Sequence, residues 1–188
     1  MSYDGPERTA APDTIVPDTK NWTWVLERPC PQCGLDTRAV EPIEVAGKLE
    51  TAAAAFAEVL RGSDVRVRPE PAVWSPLEYG CHVRDVFRVF GERIRLMLAE
   101  DDPLFENWDQ DATAIGDRYG EQDPAAVAVE LRAAAAATTA RLDGVSGEQW
   151  QRPGRRTDGS VFTVASLSRY LLHDPVHHLY DVTGVRSA

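Results

Sequence analysis

Four stretches of the chain carry apolar residues at helical spacing. Residues 42–61, PIEVAGKLETAAAAFAEVLR, place Val45, Leu49, Ala53, Phe56 and Leu60 on one face and are followed by Gly62, which predicts a first helix ending in a glycine cap. A second helix is announced by WSPLE, with Ser75 as N-cap, Pro76 in the first helical position and Glu78 closing a capping box. It runs to about Glu100, with Val83, Val86, Phe87, Phe90, Ile94, Met97 and Leu98 as its buried stripe. His82 lies four residues before Val86 and therefore on the edge of that stripe, facing inward.

Residues 101–122 lack sustained periodicity and read as a long connection, which permits the helices on either side to be parallel neighbours. Asp123 and Pro124 open a third, alanine-rich helix that ends at Gly144. VSGEQW repeats the capping-box pattern through Ser146 and Gln149 and predicts a short turn that tucks in Trp150. A fourth helix spans about Thr163 to Val182, with Val164, Leu167 and Leu171 on its apolar face. Pro175 cannot donate to Leu171 and crowds its carbonyl, so a kink or a restart at Asp174 is expected there. Four helices with one long crossover predict an all-α, up-down-down-up four-helix bundle at 41–188. Residues 1–40 form an irregular N-terminal extension before it: a polar, draped arm over 1–20, an extended aromatic stretch from Asn21, and a Cys-x-x-Cys turn between Pro29 and Gly34.

Charge narrows the partners. Thirty acidic against twenty basic side chains give a net charge of −10, and the densest basic cluster has three arginines in five residues, so nucleic acid and anionic membranes are not expected partners. No apolar run reaches membrane-spanning length and residues 1–20 lack a signal-peptide pattern. With an odd count of three cysteines, the expectation is a cytoplasmic protein without a disulfide framework.

Three of the four histidines, at 173, 177 and 178, fall within LLHDPVHHLYDV. His173 and His177 are four apart on one side of a helix, and His82 faces inward from another, which is the donor set a bundle uses for a divalent ion with open positions. Imidazole donors suit zinc first, with nickel or iron as alternatives. His178 and Asp174 are accessory candidates, and Asp174 and Asp181 are acceptors for ring N–H groups or simply solvated charges. The competing reading is that these histidines only satisfy the last carbonyls of a helix. Cys30 and Cys33 form a candidate redox pair or half of a zinc site, although no further strands for a thioredoxin-like fold and no four-ligand cysteine spacing are visible. Cys81 is expected to pack against a neighbouring helix.

WSPLEYGCHVRDV, SGEQWQRPG and LLHDPVHHLYDV, in that order, resemble the DinB-like (DinB/YfiT) superfamily over about residues 40–184. The resemblance implies an up-down-down-up bundle, often a homodimer, with a divalent metal held by His82, His173 and His177. It also implies kinship with transferases that use a low-molecular-weight thiol such as mycothiol or bacillithiol, in which the ion lowers the thiol's pKa for attack on a small electrophilic substrate. Arg84, Arg155 and Arg156 are candidates for holding an anionic group of that substrate. The alternative function is a non-catalytic, metal- or small-ligand-binding stress protein of the same fold.

Overall fold

The computed structural model describes residue 15 and residues 20–187; residues 1–14 and 16–19 of the expected arm lie outside these. Five helices carry the architecture: α1 (Val45–Val59), α2 (Pro76–Ala99), the short α3 (Gln110–Gly116), α4 (Pro124–Asp143) and α5 (Val164–Thr183). The long ones form the four-helix bundle. α1 and α2, consecutive in the chain, scarcely touch; each packs instead against α4 and α5, so chain neighbours sit on diagonals of the bundle. The crossover through residues 101–122 makes this up-down-down-up order possible.

The apolar stripes become the core as expected: Leu49 and Phe56 from α1, Val86, Phe87 and Ile94 from α2, Leu131 from α4 and Leu167 and Leu171 from α5 are all buried. The Ala-rich sequence of α4 lets it approach α2 closely. A Cβ on Gly91 would stand 2.5 Å from Thr138 Oγ1, and that hydroxyl donates to the Phe87 carbonyl at 3.0 Å. The Ser75/Glu78 capping box forms, as does the one at Ser146/Gln149, which leads into a 3-10 turn with Trp150 packed on the core.

Several local expectations are corrected. Residues Trp22–Leu26 form a 3-10 helix capped by Asn21 rather than an extended stretch. The connection contains β1 (Leu104–Phe105) as well as α3, and β2 (Pro153–Arg156) and β3 (Val161–Thr163) complete a small sheet that the sequence pattern did not reveal. β1 runs parallel to β2, and β2 antiparallel to β3 with Gly154 opposite Phe162. Strands of two to four residues are too short to show a period. α5 also passes through Pro175 as one helix, without a restart at Asp174. Pro175 is buried among residues packed on both sides, and packing of this kind outweighs a single lost backbone bond.

Candidate metal centres

Helix continuity through Pro175 decides the site, because it keeps residues four apart stacked on one face. LLHDPVHH contains two such pairs, offset by one residue: His173 with His177, and Asp174 with His178. A step of one residue turns about 100° around the helix, so the pairs face different neighbours.

Asp174 and His178 face His82 of α2, and these three present ligand atoms all within 4.8 Å of one another. His82 is fully buried, and neither ring nitrogen has a hydrogen-bond partner among the described residues. Its Nε2 lies 3.4 Å from Asp174 Oδ2, while Asp174 Oδ1 is likewise buried without a hydrogen bond. Such unsatisfied buried groups are costly unless something else is coordinated there. His178 Nδ1 stands 2.8 Å from Asp181 Oδ2, a geometry in which Nδ1–H donates and Nε2 is left to face Asp174 at 3.8 Å. Burial opposes ionisation of Asp174, but its neighbours His82 and His178 prevail and hold its carboxyl down at about 2. The aromatic surroundings fix the imidazoles: Trp108, delivered by the crossover, stacks on His82 at 5.4 Å, Trp74 lies 5.3 Å away on another side, and Tyr79 is 4.9 Å from His178.

His173 and His177 point to the N-terminal segment, where they join Cys30 and Cys33, again with ligand atoms within 4.8 Å of one another and all four residues buried. The triad His82, His173 and His177 expected from the sequence is thus divided between two groups. Cys30 Sγ is 3.6 Å from His177 Nδ1. His177 Nε2 faces Asp181 Oδ2 at 3.8 Å, so this one carboxylate borders both groups. Burial lowers the pKa of His173 to about 4, reinforced by His177, which keeps it neutral; its Nε2 has no hydrogen-bond partner among the described residues. Burial raises the Cys33 thiol to about 11, against the lowering effect of the Leu35 amide and with help from Cys30.

A cavity of about 290 Å³ opens beside both groups. Asp174, His178 and Tyr79 form one wall, and Lys20, Trp22 and Gln32 of the N-terminal segment form another. Arg84, Arg155 and Arg156 do not line it: Arg84 pairs with Asp85 and Glu130, Arg155 with Asp102, and Arg156 with Asp158. Cys81 is buried beside Tyr119 as a packing residue and belongs to neither donor group. The sequence signal for the division was present in the overlapping Asp174/His178 pair, whereas the role of Trp22, Trp74 and Trp108 had no local signal.

The sequence profile of the DinB superfamily matches residues 48–182. The chain belongs to this superfamily. Within it, the chain is similar in fold to YfiT from Bacillus subtilis, described as a probable metal-dependent hydrolase with an unusual four-helix bundle topology; the TM-score is 0.68 at 20% identity, covering 76% of this chain and 84% of that one. No curated protein matches. The DinB profile covers His82 and all of the α5 donors but begins after Cys30 and Cys33, so the cysteine pair and the arm wall of the cavity are additions to the matched region. Among the described residues no helix is long and apolar enough to cross a membrane.

Proposed function

We propose that this protein is a metal-dependent enzyme in which His82, Asp174 and His178 hold a divalent transition ion, zinc first, and the cavity beside them seats a small electrophile. The observation that carries this reading is His82, fully buried with neither ring nitrogen hydrogen-bonded, its Nε2 3.4 Å from the Asp174 carboxylate and a second imidazole beside them. Three protein donors leave an ion an open position, and when bound it would supply Lewis-acid polarisation and a lowered pKa for the attacking group. The chain's own contribution is orientation and exclusion of water. Asp181 fixes the His178 tautomer, Trp108 and Trp74 both pack against the His82 ring, and Trp22 lines the cavity from the N-terminal segment.

The finer reading is thiol S-transfer, with a low-molecular-weight thiol of the mycothiol or bacillithiol kind as cosubstrate; the three helix motifs support it by their resemblance. Hydrolysis is the second reading. It is favoured by the carboxylate in the donor set, since two imidazoles and one carboxylate are also the donors of zinc peptidases, and by the words attached to YfiT. One assay separates them: loss of chlorodinitrobenzene with and without a small thiol, and cleavage of an activated ester without thiol, each in metal-loaded and chelated protein. Metal-dependent and thiol-dependent loss, absent in His82→Ala, is the expected result. Ester cleavage alone moves the assignment to hydrolysis, and stoichiometric metal without either turnover makes the protein a binding module.

A further inference from the structure

We propose that Cys30, Cys33, His173 and His177 form a second, closed zinc site that fastens the N-terminal segment to α5. This stands apart from the reading at His82, since the two groups share no donor.

The geometry comes first. Zinc holds thiolate sulfur at about 2.3 Å and imidazole nitrogen at about 2.0 Å, so a tetrahedral arrangement separates a sulfur from a nitrogen by about 3.5 Å. Cys30 Sγ and His177 Nδ1 are 3.6 Å apart, and the remaining ligand atoms lie within the 4.8 Å that encloses the group. Four protein donors of the Cys₂His₂ type complete a tetrahedron and leave no position for water or substrate, which is the mark of a structural rather than a catalytic site.

The backbone is shaped for the same end. Gly34 N–H donates to the Cys30 carbonyl and Cys30 N–H to the Leu35 carbonyl, both at 2.9 Å, folding CPQCGL into a tight loop that brings both sulfurs to one side. Gly34 sits at φ +86°, a conformation that a side chain would strain. Ser187 N–H donates to the Cys33 carbonyl at 2.8 Å, so the chain's C-terminal end braces the loop from behind. On the other side, Pro175 inside an unbroken α5 keeps His173 and His177 one turn apart, with ring centroids 4.9 Å from each other. Trp22 covers both imidazoles, at 5.5 Å and 4.9 Å. Asp181 faces the far nitrogen of His177, the place of an acceptor that orients a coordinating imidazole.

Binding here would displace two thiol protons, forming two sulfur–zinc and two nitrogen–zinc bonds with no change of oxidation state. Its consequence reaches the cavity, because Lys20, Trp22 and Gln32 line it from the segment that the ion would hold down. The closed site therefore would set one wall of the open one.

The test uses the full-length, untagged protein carrying His82→Ala, which empties the open site, with Asp174→Asn as a second background should the first fold poorly. The expected result is about one zinc per chain retained. Cobalt substituted for that zinc should give a thiolate-to-cobalt charge-transfer band with the intense visible bands of a tetrahedral site. Cys30 and Cys33 should resist a thiol-reactive reagent until a strong chelator is added. Absence of zinc in both backgrounds, cobalt uptake without a thiolate band, or recovery of Cys30 and Cys33 as a disulfide from protein kept under reducing conditions would each overturn the proposal. None of these outcomes bears on turnover at His82, so the two assignments fail separately.

Discussion

Two residue pairs one step apart on α5 meet opposite fates. Asp174 and His178 look across the bundle to His82, a group of three donors; His173 and His177, which also border the cavity, meet a cysteine loop to make a group of four. The same helix, shifted by about 100°, presents one donor set suited to chemistry and one suited to fastening. The difference lies less in the histidines than in what packs against them. α2 offers a single imidazole, set against Trp108 of the crossover, whereas the N-terminal segment offers two soft sulfurs on a preshaped turn. Chemical softness and ligand count, rather than the His-x-x-x-His spacing, distinguish the two.

That comparison can be broken from either side. The largest effect is expected at the closed group: Cys33→Ser should remove its zinc and cost about 4 kcal/mol of stability. For a chain of this length that corresponds to a fall in Tm of roughly 10 °C, checked by calorimetry in the presence and absence of chelator. A Cys33→Ser protein whose Tm is unchanged and no longer responds to added zinc would mean that the loop needs no ion. Next, His82→Ala should lower kcat/KM by more than about 100-fold, beyond the effect usual for groups that merely orient a ligand. It should also remove metal from the open group while leaving the chelator-sensitive part of the melting curve in place. Turnover surviving this substitution would exclude His82 as a metal donor.

The bundle was legible because its signals are long and mutually consistent. The apolar stripe of α2, the capping box at Ser75 and Glu78, and the Asp123–Pro124 opening of α4 each state a helix in local terms. The N-terminal segment was not, since Trp22–Leu26 takes its form by packing on α5 rather than by any period of its own. Pro175 misled for a related reason: the local rule predicts a break, while burial on a packed helix keeps the run intact. Once α5 is known to be continuous, the donor division follows from its rotation. What no periodicity could supply is the long-range meeting of Cys30 with His177, 147 residues apart, because nothing in either segment names the other.

A smaller perturbation tests whether the two groups are linked through Asp181. Its Oδ2 lies 2.8 Å from His178 Nδ1 and 3.8 Å from His177 Nε2, so the stronger orienting contact is made to the open group. Asp181→Asn retains the shape but weakens acceptance, and a loss of about 10-fold to 100-fold in activity is expected, with a lesser loss of zinc from the cysteine site. Metal titrations followed separately by activity and by the cobalt–thiolate band would report the two effects. The reverse order, with the cysteine site losing more, would mean that Asp181 belongs chiefly to His177.

The smallest expected effect is the most selective. Gly34→Ala keeps every donor and places a methyl group 3.1 Å from the Ser187 carbonyl in a backbone conformation that side chains rarely adopt, a cost of about 1 to 2 kcal/mol. If that strain falls on the cysteine loop, zinc affinity at the closed group should drop about tenfold, which is the equivalent of about 1.4 kcal/mol, and cobalt titration would measure it. Turnover at saturating zinc should then be little changed, because Lys20, Trp22 and Gln32 return to the cavity once the loop is refilled. A turnover that stays depressed at saturating zinc would show that the exact path of the loop, and not only its attachment to α5, shapes the wall against which the substrate rests.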